Sequence, residues 1–236
     1  SLEPLVIQDG GRKKTFLVFA DESTLSLTGK RAVVLDGQKV SSMDLVTRMW
    51  LQPDRWDETP LIYIGYLPLK QATGLDETRK LFSYQELAEN RAFLTLLSEA
   101  AAARSRASNV RLTGNLKEAA EAGMRVALFE GLTSGQLLRI RPTAGADWGI
   151  VSLHAPELAA LRLALEAGDS DAFKQASLAL ENWQRTTLPE AIPADWVLRL
   201  ENFYQKSHPF RWAWILYLAS GILLATTFTW QAKAGY

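Results

Sequence analysis

The sequence predicts an α+β protein that is mainly α: a soluble, mostly helical domain with a few short strands, followed by one C-terminal transmembrane helix. Three observations predict this class. Helix-capping residues stand before apolar residues with helical spacing, short apolar runs lie between turn-forming residues, and one long apolar segment begins at His208. Of the 236 residues, 47% are hydrophobic, so the region before the span can fold around a core.

Turn and capping residues define the elements of the first half. Gly29 is a suitable helix stop, because glycine readily adopts the left-handed conformation that closes a helix. Asp36-Gly37 predicts a tight turn, and Ser83 with Glu86 forms a capping-box sequence. In chain order we expect an extended lead-in with a turn over 1–14, a helix from Phe16 to Gly29, a strand over 31–35, a helix from Ser41 or Ser42 to Pro53, a strand over 61–64 and a helix from Ser83 to Ala103.

Glycine and proline divide the second half in the same way. Gly131 and Gly135 interrupt the chain before residues 137–141, whose alternating pattern predicts a strand. Gly168 separates two segments that we expect to form an antiparallel helical hairpin. We find no internal repeat in the sequence. The remaining expected elements are a helix over 116–129, a turn over 147–149, helices over 156–166 and 171–186, a linker over 188–193 and an amphipathic helix over 196–206.

The segment from His208 to Gln231 predicts a membrane-spanning helix. About 20 apolar residues cross the hydrocarbon core of a bilayer, and the stretch 210–230 reaches this length with Arg211 as its only charge. Its aromatic residues at both ends are typical of membrane interfaces, which disfavours the alternative of a helix buried in a soluble core. The expected interfacial residues are Arg211, Trp212, Trp214, Tyr217 and Trp230. We therefore expect a soluble domain over 1–207, a span over 208–231, and a short tail or truncation point over 232–236.

The composition excludes several classes of function. The chain has no cysteine, which excludes disulfides, thiolate nucleophiles, zinc–cysteine sites and covalent haem attachment by this chain. Two histidines exclude a histidine-rich metal site. Lys+Arg and Asp+Glu both number 26, which gives no reason to expect a nucleic-acid partner. Motifs of hydrolases, nucleotide-binding proteins and zinc proteases are absent from the sequence, so we expect no catalytic residues and no catalytic activity from this chain alone.

Two places in the sequence are candidate ligand or partner sites. His208 stands at the start of the span, where a neutral imidazole can ligate haem iron or can instead reach the lipid headgroups. The basic turn of Gly11, Arg12 and Lys14 can bind phosphate or carboxylate groups of a ligand or partner, or can form a solvated loop. Trp148 can stack on a flat ligand, although an aromatic residue after a strand is more often part of a core.

Four stretches, taken in order, resemble parts of one protein family. They are VIQDGGRKKTFLVFADES (6–23), LTGK (27–30), DGQKVSSMDLVTRMWLQPDRWDETPLIYI (36–64) and RLENFYQKSHPFRWAWILYLASGILL (199–224). Together they resemble the extracytoplasmic domain and first span of a group of bacterial cytochrome c biogenesis proteins. In that group a soluble domain is joined to the haem-handling membrane module of the system II cytochrome c synthase. The residues that fit the family's opening in order are Gly11, Arg12, Lys14, Phe19 and Ala20.

The sequence also departs from this family. Thr15 stands where the family has proline, and the family's tryptophan-rich haem-binding loop with flanking histidines is absent. The resemblance covers both ends of the chain better than its middle. Haem binding can therefore not be carried over to residues of this chain from the family's haem-binding loop.

The resemblance implies a membrane-anchored component of cytochrome c biogenesis in the bacterial inner (cytoplasmic) membrane. Its large periplasmic domain would position haem, apocytochrome or partner subunits at the membrane face. Haem would reach it through a partner or a further membrane module. The expected partners are the membrane and other subunits of a cytochrome assembly or electron-transfer complex. The alternative is an accessory or structural single-span subunit of a respiratory or photosynthetic membrane complex, without haem chemistry.

Overall fold

The computed structural model describes residues 1–106, 111–145, 147–207 and 209–234, with side chains described as far as Thr227 in the last range. Helices make up 63% and strands 10% of it, and an apolar helix lies at the C-terminal end. The predicted class, a mainly α protein of the α+β type with a C-terminal apolar helix, is confirmed. The chain divides into two compact units, Ser1–Pro193 and Ala194–Tyr236.

The first unit contains short strands, α-helices and two 3-10 turns, and the second contains two helices among its described residues. In the first unit, the elements are β1 (Val6–Asp9), β2 (Arg12–Thr15), α1 (Phe16–Thr28), β3 (Ala32–Leu35), β4 (Gln38–Ser41), α2 (Ser42–Leu51), a 3-10 turn (Pro53–Arg55), β5 (Ile62–Tyr63), α3 (Leu67–Thr73), β6 (Leu81–Phe82), α4 (Tyr84–Ala88), α5 (Arg91–Arg106), α6 (Gly114–Thr133), α7 (Pro156–Ala167), α8 (Ser170–Thr187) and a second 3-10 turn (Pro189–Ala191). In the second unit they are α9 (Asp195–Ser207) and α10 (Pro209–Ala234).

A β-hairpin followed directly by a helix occurs twice at the start of the chain. β1 and β2 pair antiparallel and lead into α1, and β3 and β4 pair antiparallel and lead into α2. Each hairpin turns through two residues with positive φ, and the last residue of its second strand caps the following helix. The offset is 26 residues throughout: strands begin at Val6 and Ala32 and at Arg12 and Gln38, and helices at Phe16 and Ser42.

The expectation of no internal repeat is therefore wrong. The two copies share turn geometry and cap chemistry but few identical residues, which is why the duplication is hard to see in the sequence. The turns are Gly10-Gly11 and Asp36-Gly37, with φ values of 57° and 78° and of 50° and 77°. These values favour glycine and tolerate aspartate. The caps are Thr15 and Ser41, whose hydroxyls accept hydrogen bonds from the first turn of each helix.

The core of the first unit is continuous and draws on nearly all of its elements. The two repeated helices pack against each other, with the rings of Phe16 and Trp50 6.3 Å apart. Phe82, Phe93 and Phe129 are fully buried and bring β6, α5 and α6 to the same core. Residues from both ends of the unit thus share one core, as expected of a single folded domain.

Three predicted features differ from the structure. The first is Gly131, which does not interrupt the chain, because α6 continues through it to Thr133. The helix expected from Ser83 to Ala103 is divided into α4 and α5, although its capping box with Glu86 is confirmed. Asn90 causes the break, because its side chain accepts a hydrogen bond from the Phe93 N–H and donates one to the Thr73 carbonyl, both 2.9 Å long. Such a side chain starts a new helix.

The prediction of a regular strand over 137–141 is wrong. This segment makes two isolated bridges, from Arg139 to Gln8 and from Arg141 to Gly149. Its apolar residues Leu138 and Ile140 are buried, so the alternation in the sequence reflects burial of one side of an extended segment.

The helix α3 was not expected from the sequence. The predicted hairpin of α7 and α8 and the predicted helix α9 are confirmed within one or two residues.

Candidate functional site

The predicted basic turn lies at the tip of the first hairpin. Gly10 and Gly11 form the turn, and Arg12 follows it as an exposed residue paired in register with Asp9. Both turn residues have positive φ, a backbone conformation that favours glycine, so the backbone determines which residues stand at these two positions. The structure therefore brings Gly11 and Arg12 together on the surface, and their role in recognition stays a prediction.

Lys14, the third residue of the predicted basic turn, is directed into the fold. Its side chain is only 8% exposed, and Nζ lies 2.8 Å from Asp9 Oδ2 and 2.5 Å from Glu22 Oε2. Burial lowers the pKa of this ammonium, but the hydrogen bonds to Asp9 and Glu22 outweigh that effect and leave the pKa raised. The three residues form an ion triad that joins the hairpin to α1, with the ammonium buried and the two carboxylates exposed to solvent. A recognition role for Lys14 would have to act through this triad.

Lys13 ties the same hairpin to the far end of the unit. Its Nζ donates a hydrogen bond of 2.7 Å to the carbonyl of Ala191 and lies 5.4 Å from the ring centre of Trp148. Trp148 is buried, and its backbone N–H donates to Oε1 of Gln8. Trp148 is thus a core residue capped by a cation, which matches the interpretation of a core aromatic.

Gln184 completes this junction and was missed by sequence reasoning. Its amide is 1% exposed, accepts from the Val6 N–H at 2.9 Å, and donates to the carbonyls of Val6 and Ile140 at 2.7 Å each. The available signal was its position, because it follows the buried Ala176 and Leu180 at intervals of one helical turn. A glutamine on the buried face of a helix needs polar partners.

The chain's two histidines differ in what the structure describes of them. His208 lies outside the described residues, and its role as a haem ligand stays a prediction. His154 is exposed in the turn before α7 of the first unit. No group of three or more acidic or histidine side chains in the described part of the chain could hold a metal ion.

A cleft of the first unit is lined by residues of α1, α2, α7 and α8. It has a volume of about 890 Å³ and lies between the repeated hairpin–helix units and the α7–α8 connection. Ser42 donates a hydrogen bond to Asp21 there, but none of the described residues lining the cleft is a histidine. Because a serine nucleophile needs an oriented base to take its proton, this pair serves to join α1 and α2.

The helix α10 has the properties of a membrane span. Its stretch Pro209–Thr227 has 19 residues and a mean hydropathy of 1.2, and none of it is buried within the protein. The hydroxyls of Ser220, Thr226 and Thr227 donate to backbone carbonyls of the preceding turn, at 2.8, 2.7 and 2.7 Å. These polar groups are thereby satisfied within the helix, as a lipid environment requires.

Four of the five predicted interfacial residues lie in the first turns of this helix, and Trp230 lies near its end. Arg211, Trp212, Trp214 and Tyr217 are all exposed, and the side chain of Trp230 lies outside the described ones. The preceding helix α9 is amphipathic and also exposes an apolar face. Residues at helical spacing form that face: Trp196, Val197, Leu200, Phe203 and Tyr204. Both helices of the second unit thus present apolar surface that a membrane or partner would cover.

Comparison with known proteins adds no assignment. No protein-family model matches the chain, and no curated protein sequence matches it.

Proposed function

We propose that this chain is the membrane-anchored docking component of a cytochrome c biogenesis system, which positions haem, apocytochrome or partner subunits beside the membrane. In this proposal α10 crosses the bacterial inner (cytoplasmic) membrane and the first unit lies on the periplasmic side. One observation carries it: a compact domain is followed by a helix of 26 residues whose described apolar side chains are exposed. Such a helix is stable only where lipid or membrane protein covers it.

The resemblance to cytochrome c biogenesis proteins supports the finer assignment. Its longer stretches cover, in chain order, the first hairpin with most of α1, the strand β4 with α2, the Pro53–Arg55 turn with β5, and the junction from α9 to α10. Each motif is short, and their common order gives the resemblance its weight. In this assignment the exposed turn of Gly11 and Arg12 is a docking element.

A second candidate is an accessory single-span subunit of a respiratory or photosynthetic complex. The observation that favours it is the adjacent pair Ser220-Gly221 in the middle of α10. A Cβ at Gly221 would meet no atom within 4 Å, and small residues in a span allow a neighbouring helix to approach closely. In this reading the span packs between helices of other subunits and has no haem chemistry.

Purification from native membranes in mild detergent distinguishes the two candidates. An affinity tag is fused to the full chain ahead of Ser1, and the proteins retained with it are identified by mass spectrometry. The proposal predicts enrichment of cytochrome maturation proteins over a tagged, unrelated single-span protein. Stoichiometric retention of a respiratory or photosynthetic complex, without maturation proteins, would establish the second candidate instead.

A further inference from the structure

A second cleft in the first unit is lined by cations without a carboxylate. It has a volume of about 700 Å³ and lies where the end of α1 meets β5 and β6. We call it the basic cleft and define it by its lining residues: Thr28, Gly29, Lys30, Pro60, Tyr63, Arg79, Lys80 and Leu81. The whole chain balances 26 basic against 26 acidic residues, so three cations in one cleft depart from the average distribution.

The ring of Tyr63 forms an ordered aromatic surface in the basic cleft. It lies against Gly29, where an added Cβ would come within 3.3 Å of the ring, and an added Cβ at Gly65 would clash with its hydroxyl. The guanidinium of Arg125 stands 5.7 Å from the ring centre and is itself held by a 3.1 Å hydrogen bond from Nε to the Ser26 carbonyl. Glycine on two sides lets the ring pack against the backbone, which holds the ring in place.

The cations of the basic cleft differ in how far they are neutralised. Arg79 binds both oxygens of Glu86, at 2.7 and 3.0 Å, and this hydrogen bonding raises its pKa. Lys30 and Lys80 are exposed, and neither makes an ion pair with a carboxylate of the described residues. Two ammonium groups without a carboxylate partner among the described residues therefore stand beside a fixed aromatic ring, where they can bind an anionic ligand.

We propose that the basic cleft binds an organic dianion: a small molecule that carries two acid charges on an apolar, preferably aromatic body. The body packs on Tyr63, Pro60 and Leu81, and the acid groups lie between Lys30 and Lys80. Both carboxylate and phosphate groups suit an ammonium, so the shared chemistry is the paired negative charge beside a ring. This inference is independent of the proposed role in cytochrome c biogenesis.

Isothermal titration calorimetry on the full chain in non-ionic detergent tests this site. The probes are isophthalate, which is an aromatic dicarboxylate, phenyl phosphate, which is an aromatic phosphate, and inorganic phosphate. We expect at least one aromatic probe to bind about tenfold or more tightly than inorganic phosphate, because only the aromatic probes bury a ring. Which of the two binds more tightly identifies carboxylate or phosphate as the preferred acid group.

The double variant Lys30→Gln/Lys80→Gln removes the two unpaired charges. We expect it to weaken binding of the preferred probe by about tenfold or more, since each charged contact is lost in a partly shielded cleft. The matched control is Lys39→Gln/Lys174→Gln, which removes two exposed lysines outside the cleft and should leave binding unchanged. Equal binding by the two double variants, no binding of either aromatic probe, or inorganic phosphate binding as tightly as both would overturn the proposal.

Discussion

Gln184 and Val6 exchange two hydrogen bonds across 178 positions of the sequence, with lengths of 2.9 and 2.7 Å. The same amide also donates to the carbonyl of Ile140. One side chain of α8 therefore supplies the backbone partners that β1 would otherwise find in a wider sheet. The first hairpin, the extended segment around Ile140 and the last long helix of the first unit meet at this residue.

Replacing Gln184 should destabilise the first unit strongly. Gln184→Leu leaves three buried backbone groups without partners, and each unsatisfied group costs about 1–3 kcal/mol. Allowing for partial rearrangement, we expect the free energy of unfolding to fall by about 2–4 kcal/mol. Urea unfolding of the full chain in detergent, followed by tryptophan fluorescence, measures this loss. Gln175→Leu changes an exposed glutamine of the same helix and should have little effect; similar unfolding midpoints for the two variants would contradict the bridging role.

Lys14 should make stability depend on alkaline pH. Its pKa is raised above the ordinary value of 10.5 in the folded protein, so its contribution is complete below about pH 10.5 and is lost as pH rises through the raised pKa. Lys14→Met removes the charged hydrogen bonds and should lower the free energy of unfolding at pH 7 by about 1–3 kcal/mol. The difference from wild type should then shrink above pH 10.5.

The control for this experiment is Lys39→Met, in the second hairpin, where the lysine is exposed. Unfolding midpoints are measured from pH 7 to 11.5. The midpoint of Lys39→Met should depend on pH as that of the wild type does, because the lysine it removes is exposed and not buried. A constant gap between wild type and Lys14→Met over that whole range would show that the triad does not act through the charge of Lys14.

A charge within α10 should weaken membrane insertion. Leu223→Arg places a cation near the middle of the span, at a cost of about 2.5–3.5 kcal/mol on insertion scales. Leu163→Arg in α7 is the matched control, because both leucines are 66% exposed. We expect alkaline extraction of membranes to release more of the Leu223→Arg protein and to leave Leu163→Arg unaffected. Equal retention of the two variants would show that α10 is held by something other than the bilayer core.

The repeated hairpins provide an internal control for recognition by Arg12. Arg12→Ala removes the exposed cation of the first turn, and Gln38→Ala changes the residue in the same register of the second hairpin. If the first turn docks a partner, Arg12→Ala should reduce co-purification of that partner by about tenfold, the value of one charged contact, with no change in the urea midpoint. A lower urea midpoint with normal co-purification would assign the turn a structural role.

Local sequence patterns predicted the parts of the fold that depend on local chemistry. The stop at Gly29 and the cap at Ser83 are confirmed, because each is set by residues within one turn of the helix end. Those patterns missed what depends on distant partners. Gln184 is an ordinary polar residue until Val6 is placed beside it, and Lys14 looks like a surface charge until Asp9 and Glu22 enclose it.

The long apolar helix α10 could be predicted from the sequence for the same local reason, since its length and apolar composition lie within the segment itself. The basic cleft could not be predicted from local patterns in the sequence. Lys30 follows the end of α1, Tyr63 lies in β5, and Lys80 directly precedes β6 after a long connection that contains α3. These three side chains come together because β5 pairs with β6. Each strand has two residues, and the sequence pattern of so short a strand does not identify its partner.

The level of c-type cytochromes in cells that lack this chain tests the central proposal most directly. Membranes are separated by electrophoresis and stained for covalently bound haem, in the deletion strain and after complementation with wild type or Leu223→Arg. Cytochrome c biogenesis predicts that haem-stained c-type cytochromes fall on deletion, return with wild type and return less fully with Leu223→Arg. Unchanged c-type cytochromes in the deletion strain would contradict the proposal.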